Sequence, residues 1–224
     1  MVSRRAAVLA TLVAATIVTA VPARAATIWT DWTAATSGSP GSATGALGAV
    51  GVTYTGDLFL ATLDGSSQLW APDSSFVGGN VTDSPAAVGD DLRMNGIFFS
   101  GPNSIRFSAP VVNPFIAFWS LGSPFTVAAF TFTETPTLQA GGPNALPLGG
   151  GSIDVTGNVV SGMNGNGVVQ FMGIFTSLTW SATPDIFYAF TVGTNSLAPA
   201  PVPEPASLVL VGVGLAGLVW RRRR

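Results

Sequence analysis

In Ile174-Phe175-Thr176-Ser177-Leu178-Thr179-Trp180-Ser181, the residues Ile174, Thr176, Leu178 and Trp180 alternate with Ser177, Thr179 and Ser181, and in Ile186-Phe187-Tyr188-Ala189-Phe190-Thr191-Val192-Gly193 the residues Ile186, Tyr188, Phe190 and Val192 keep the same period of two. Successive side chains of an extended chain point to opposite faces, so a period of two marks a strand with one face turned to a core. Val50, Val52 and Tyr54, alternating with Gly51, Thr53 and Thr55, repeat the pattern. Working outward, strand signals recur over 27–33, 57–63, 93–99, 105–109, 115–121, 125–133, 153–160 and 168–171. Between them fall Asp64-Gly65, Gly78-Gly79-Asn80, Asn95-Gly96, Gly101-Pro102-Asn103, Gly122-Ser123-Pro124, Gly157-Asn158 and Asn164-Gly165-Asn166-Gly167. Gly and Asn supply the positive φ that tight turns demand. No stretch between 26 and 198 carries a sustained 3.6-residue apolar stripe. The predicted fold is all-β, an antiparallel β-sandwich or jelly roll, with an edge-closed barrel as the alternative. Phe115-Ile116-Ala117-Phe118-Trp119 is apolar on both faces, which predicts a central strand with a cover on each side. Pro110 and Pro114 predict a bend just before it.

Composition narrows the chemistry. The 224 residues include no Cys, no His and no Lys. That removes disulfides, thiolate and imidazole metal sites, His-bearing triads, the phosphate-loop lysine and Schiff-base chemistry. Seven of the nine arginines lie at the two ends, and between Ala26 and Pro205 only Arg93 and Arg106 face all eleven acids. Such a body repels nucleic-acid phosphates and anionic membrane surfaces.

Both ends read as addresses. Arg4-Arg5, an apolar run from Ala6 to Val21, and Ala23-Arg24-Ala25 form the charged, greasy and small-residue parts of a secretory signal peptide over 1–25, with signal peptidase expected to cut after Ala25. The far end reads Pro201-Val202-Pro203-Glu204-Pro205, then Ala206 to Trp220 without a charge, then Arg221, Arg222, Arg223 and Arg224. As a helix the uncharged stretch spans roughly 22 Å, short of the roughly 30 Å of a bilayer core. Trp220 suits the headgroup zone and the arginines the cytoplasmic side, so the segment stalls translocation with the body outside. A Pro-rich spacer and this tail occupy 199–224, and the body occupies 26–198.

Pro203-Glu204-Pro205, the apolar segment carrying Gly212, Gly214 and Gly217, and the arginine cluster resemble the PEP-CTERM sorting signal. The resemblance implies processing by an exosortase in a gram-negative, exopolysaccharide-producing bacterium. The protein would pass the secretion translocon, rest transiently in the inner membrane, and end at the cell surface or outside the cell. Residues 106–114, 167–171 and 186–193 are similar to the β-sandwich passengers that PEP-CTERM proteins carry. That likeness implies a fold and no activity.

Within the body, Trp70 lies in the polar stretch 64–91, where Gln68 and Asp73 offer hydrogen bonds. An aromatic there is the candidate platform for a sugar ring, against the plainer reading that it pins a loop to the body. Asp64, Asp73, Asp83, Asp90 and Asp91 fall in the same stretch, and Asp90-Asp91 is the best local pair for calcium, against solvated loop acids. No other cofactor is expected. A glycoside hydrolase would need Glu134, the one glutamate before the tail, and a partner carboxylate that no spacing supplies. The sequence therefore points to an exported, non-catalytic surface or matrix protein associated with exopolysaccharide or biofilm. A carbohydrate-binding module is the alternative, and a hydrolase the remote one.

Overall fold

The computed structural model describes residues 25–67, 69–85, 89–97, 101–145 and 150–196, with the side chains of 64–67 left aside. The signal-peptide and sorting-tail segments lie outside these residues, apart from Ala25, which is exposed.

Among the described residues fifteen strands follow one another: β1 Ile28–Trp29, β2 Asp31–Thr36, β3 Gly38–Leu47, β4 Val50–Leu58, β5 Leu60–Ser67, β6 Gly89–Met94, β7 Asn103–Val112, β8 Phe115–Leu121, β9 Ala128–Phe132, β10 Pro136–Gly141, β11 Asp154–Thr156, β12 Val159–Gly162, β13 Gly165–Phe171, β14 Ile174–Ala182 and β15 Tyr188–Thr194. One sheet has the order β10-β13-β8-β15-β6-β5, with β1 beside β15; the other runs β11-β12-β9-β14-β7-β4-β3-β2. Every strand pairing within the two sheets is antiparallel. Each sheet keeps two edges, so this is a sandwich and not the closed barrel. Among the described residues no helix is long and apolar enough to cross a membrane.

The core between the sheets is aromatic. Phe118 on β8 meets Phe130 on β9 edge-to-face at 4.9 Å, and Phe171 on β13 meets Phe132 at 4.8 Å. Tyr54 on β4 meets Phe190 on β15 at 5.2 Å. Phe130 stacks on Trp180 at 5.5 Å. Such pairs add about 0.5–1.5 kcal/mol each beyond the area they bury.

Three strands show no alternation in burial at all. β8, β13 and β15 are buried at every position. The central placement expected for β8 holds, but β15 is not the half-buried strand its alternation predicts. The reason lies in the 64–91 stretch, whose residues 69–85 fold back over the outer face of the first sheet. Trp70, Phe76 and Val81 form a second apolar cluster there with Phe115, Ala117, Trp119, Val168 and Ala189. A one-turn 3-10 helix, Asp73–Ser75, shapes this cover.

In β14 the phase slips. A register shift between Phe175 and Ser177 leaves Ile174 outside at 70% exposure, while Phe175 packs against the core and Leu178 and Trp180 keep their expected inward face. One extra residue moves every earlier side chain to the other face. Two strands carry no such signal: β3, made largely of Gly, Ser, Ala and Thr, and β10, which begins at Pro136.

Phe130→Ala is expected to cost about 3–5 kcal/mol of stability, read as a lower urea midpoint with unchanged slope. Ile174→Ala, on the bulged end of β14, should stay within about 0.5 kcal/mol of the parent.

Candidate functional site

Trp70 is not the exposed sugar platform that the polar sequence around it suggests. It is 1% exposed, meets Phe76 edge-to-face at 5.4 Å and holds the cover against the first sheet. The structure assigns it the loop-pinning role. Gln68 lies outside the described residues, and Asp73 is exposed, accepting a hydrogen bond from Ser84 Oγ at 2.6 Å.

Asp90 and Asp91 sit in β6 and not in a loop, so their side chains leave on opposite faces and do not form a joint cation site. Asp90 Oδ2 accepts the Trp32 backbone N–H at 2.8 Å. Asp91, fully buried, is gripped by Arg93, with Nε at 2.7 Å from one oxygen and Nη2 at 3.2 Å from the other. Among the described residues no three potential metal-ligating side chains gather. Glu134 lies in the link between β9 and β10, its carboxylate accepting from its neighbour Thr133 at 2.6 Å.

The structure instead gathers chemistry where four links meet at one end of the sandwich. There, the links after β8, β10, β12 and β14 line a cleft of about 470 Å³ whose residues include Trp119, Ser120, Asn144, Asn164, Asp185 and Phe187. Antiparallel pairing explains the meeting. Leu121 at the end of β8 faces Gly165 at the start of β13, and Trp119 faces Ala189 near the start of β15.

A buried polar network fixes these links. Ser120 N–H donates to Asn166 Oδ1 at 2.9 Å, and the Ser120 hydroxyl bonds the Asn164 side-chain oxygen. Asn144 Nδ2 reaches the same Asn166 oxygen at 3.3 Å, while Asn166 Nδ2 donates to the Gly142 carbonyl at 3.2 Å. Asn164-Gly165-Asn166-Gly167 is thus a turn at Asn164 that runs directly into β13, and its second asparagine is a bracket for the site. Ser120 and Asn164 both adopt φ of 55°, and Gly122 adopts 82°. Left-handed backbone at residues with side chains carries strain that surrounding structure must hold in place.

Asp185 is positioned from the neighbouring link. Its N–H donates to the Asn95 carbonyl at 2.8 Å. The Asn95-Gly96 turn is held in turn by buried Asp57, whose Oδ2 accepts the N–H groups of Asn95 at 2.8 Å and Gly96 at 2.6 Å. Gly96, at φ 61°, permits the turn.

Among the described residues, two buried polar atoms of the cleft, Trp119 Nε1 and Asp185 Oδ2, have no hydrogen-bond partner. Burial pushes the Asp185 carboxyl above the ordinary carboxylate range, offset in part by backbone hydrogen bonds from Ile186 and Gly122. The Trp119 and Phe187 rings stack at 5.9 Å. Sequence reasoning placed Trp119 in the core and passed over Asp185. Its one available signal was an acid directly before a strand in a chain with few charges.

A two-sheet sandwich whose sequence continues into a Pro-Glu-Pro segment, an uncharged stretch and four arginines defines a class, a folded domain joined to a C-terminal sorting tail. The tail is of a particular kind: residues 201–224 match the family model of the PEP-CTERM protein-sorting motif. The motif implies an exported protein of a gram-negative bacterium, sorted at the membrane by an exosortase. No curated protein and no solved structure matches the chain.

Trp70→Ala should lower stability by about 3–5 kcal/mol in urea unfolding, where an exposed platform residue would cost within about 0.5 kcal/mol. For Asp185 the sign is opposite. A carboxyl with a folded value above its unfolded one holds its proton more tightly when folded, so its charge costs stability at higher pH. Asp185→Asn should therefore melt above the parent at pH 7, with the gap closing as pH falls toward the ordinary aspartate value of about 3.9.

Proposed function

We propose that this chain is a non-catalytic surface or matrix protein. A signal peptide removed after Ala25 sends it through the secretion translocon, and the uncharged, apolar segment 206–220 holds it briefly in the inner membrane. An exosortase then cuts near Pro203-Glu204-Pro205, leaving the body outside the cell in an exopolysaccharide or biofilm setting. The strand order supports a jelly-roll reading of that body, since β13-β8-β15-β6 and β12-β9-β14-β7 nest as two Greek keys.

The observation that carries the proposal is the sorting motif at 201–224 on a body whose two ends leave from one side. Ile28 pairs with Thr194 and Trp29 with Gly193, so the first and last strands lie side by side. Thr27 is buried, and its N–H lies 2.8 Å from Thr82 Oγ1 and 2.9 Å from Asp83 Oδ2. Gly193 faces Phe115 at one end of β8, whereas the cleft lies at the other, roughly 20 Å away at about 3.3 Å per residue. A tail resting in the membrane would leave the cleft end pointing outward. The two prolines around Glu204 favour an extended backbone, as a protease subsite needs.

Intact-mass measurement of membrane and secreted fractions tests this. In cells with the exosortase, the released protein should begin at Ala26 and lack Arg221 to Arg224. Without the enzyme, the membrane fraction should hold the species that begins at Ala26 and keeps its arginines. A released form that retains the arginines would refute the sorting role.

A further inference from the structure

The cleft at the loop end has the volume of a small-molecule site, about 470 Å³, within the range such sites occupy. Its walls are mostly carbon. The stacked Trp119 and Phe187 rings form one side, and Pro124 and Ile186, both exposed, stand at the lip. The serine and asparagines below are engaged in the network that ties the links together. The atoms left over are a donor, Trp119 Nε1, and an anionic acceptor, Asp185 Oδ2. A buried carboxylate oxygen without a partner is costly, and folded proteins seldom keep one without a use.

Among the described residues no cation offsets Asp185 from within. Neither Arg93 nor Arg106 lines the cleft, and Arg93 is committed to Asp91 on β6. Backbone donors from Ile186 and Gly122 offset its burial only in part, and a cationic ligand would supply the opposite charge that the cleft lining lacks. The aromatic walls attract the same kind of group, because ring faces stabilise ammonium ions. The body's excess of acids draws cations toward it as well. A neutral pyranose suits the cleft poorly, because carbon walls would strand most of its hydroxyls.

We propose that this cleft binds a small organic ammonium ion with an aromatic body, its nitrogen paired with Asp185, its ring against Trp119 and Phe187, and an oxygen accepting from Trp119 Nε1. Both polar atoms are shielded from solvent, so seating the ligand requires the 185–187 segment to yield. The exposed Ile186 at the lip leaves room for that movement.

The test is calorimetric titration of the protein as its host processes it, with tyramine, with 4-ethylphenol, which lacks the amine, and with methyl glucoside. Tyramine should bind, 4-ethylphenol should bind at least about tenfold more weakly, and the glucoside should give no heat of binding. Asp185→Asn should reduce tyramine affinity by about tenfold or more and leave the 4-ethylphenol affinity unchanged. Trp119→Phe, which keeps a ring and removes the N–H, should weaken tyramine and not phenethylamine. Equal affinity for tyramine and 4-ethylphenol, tyramine binding unaltered in a folded Asp185→Asn variant, or no tyramine binding up to about 10 mM would each overturn the proposal.

Discussion

The structure depends on the complete dehydration of one strand. β8 is buried at all seven positions, paired with β13 on one side and β15 on the other. A strand in that position needs an apolar cover on each face. The inner face meets the aromatics of the second sheet, and the outer face meets the cover formed by 69–85. Each large side chain buried there contributes about 1.5–3 kcal/mol. The long link between β5 and β6 is therefore a structural layer, and its tryptophan belongs to the core.

That buried centre also divides the domain into two ends with different work. At one end the first and last strands pair, so the chain enters and leaves together. At the other, the links between strands crowd against a rim of side chains from separate loops, including Phe125 at 93% exposure and Ile186 at 70%. The crowding is held by buried polar groups and by left-handed residues such as Ser120 and Asn164. A scaffold with a rigid centre can hold such strain, which is why irregular, polar features collect at its loop end and not along its strands.

Much of this was legible beforehand, for particular reasons. The period-two pattern located β4, β14 and β15, and the unbroken apolar run of β8 revealed its central place. The tripartite tail was readable because charge, grease and prolines occur in fixed order. Other features escaped because they depend on distant partners. β3 and β10 have small or irregular side chains, and their pairing is decided by neighbours. The bulge in β14 hides a change of face that no pattern announces. For Trp70 the polar neighbours left a sugar platform open beside the plainer loop-pinning reading, and the burial that decides for the latter comes from the outer face of a sheet formed later in the sequence. Asp90 and Asp91 looked like a pair until the strand turned them apart. Asp185 acquires meaning only when the links after β8, β10, β12 and β14 converge.

The central statement, that β8 is sealed on both faces, can be tested by hydrogen–deuterium exchange with peptide-resolved mass spectrometry on the processed protein. Amides of β8, β13 and β15 should exchange last and together, at the rate set by global unfolding, while β2 and β11 at the sheet edge exchange early. If β8 exchanged as quickly as those edge strands, its outer face would be open to water, and the account of the cover and of the two ends would fail.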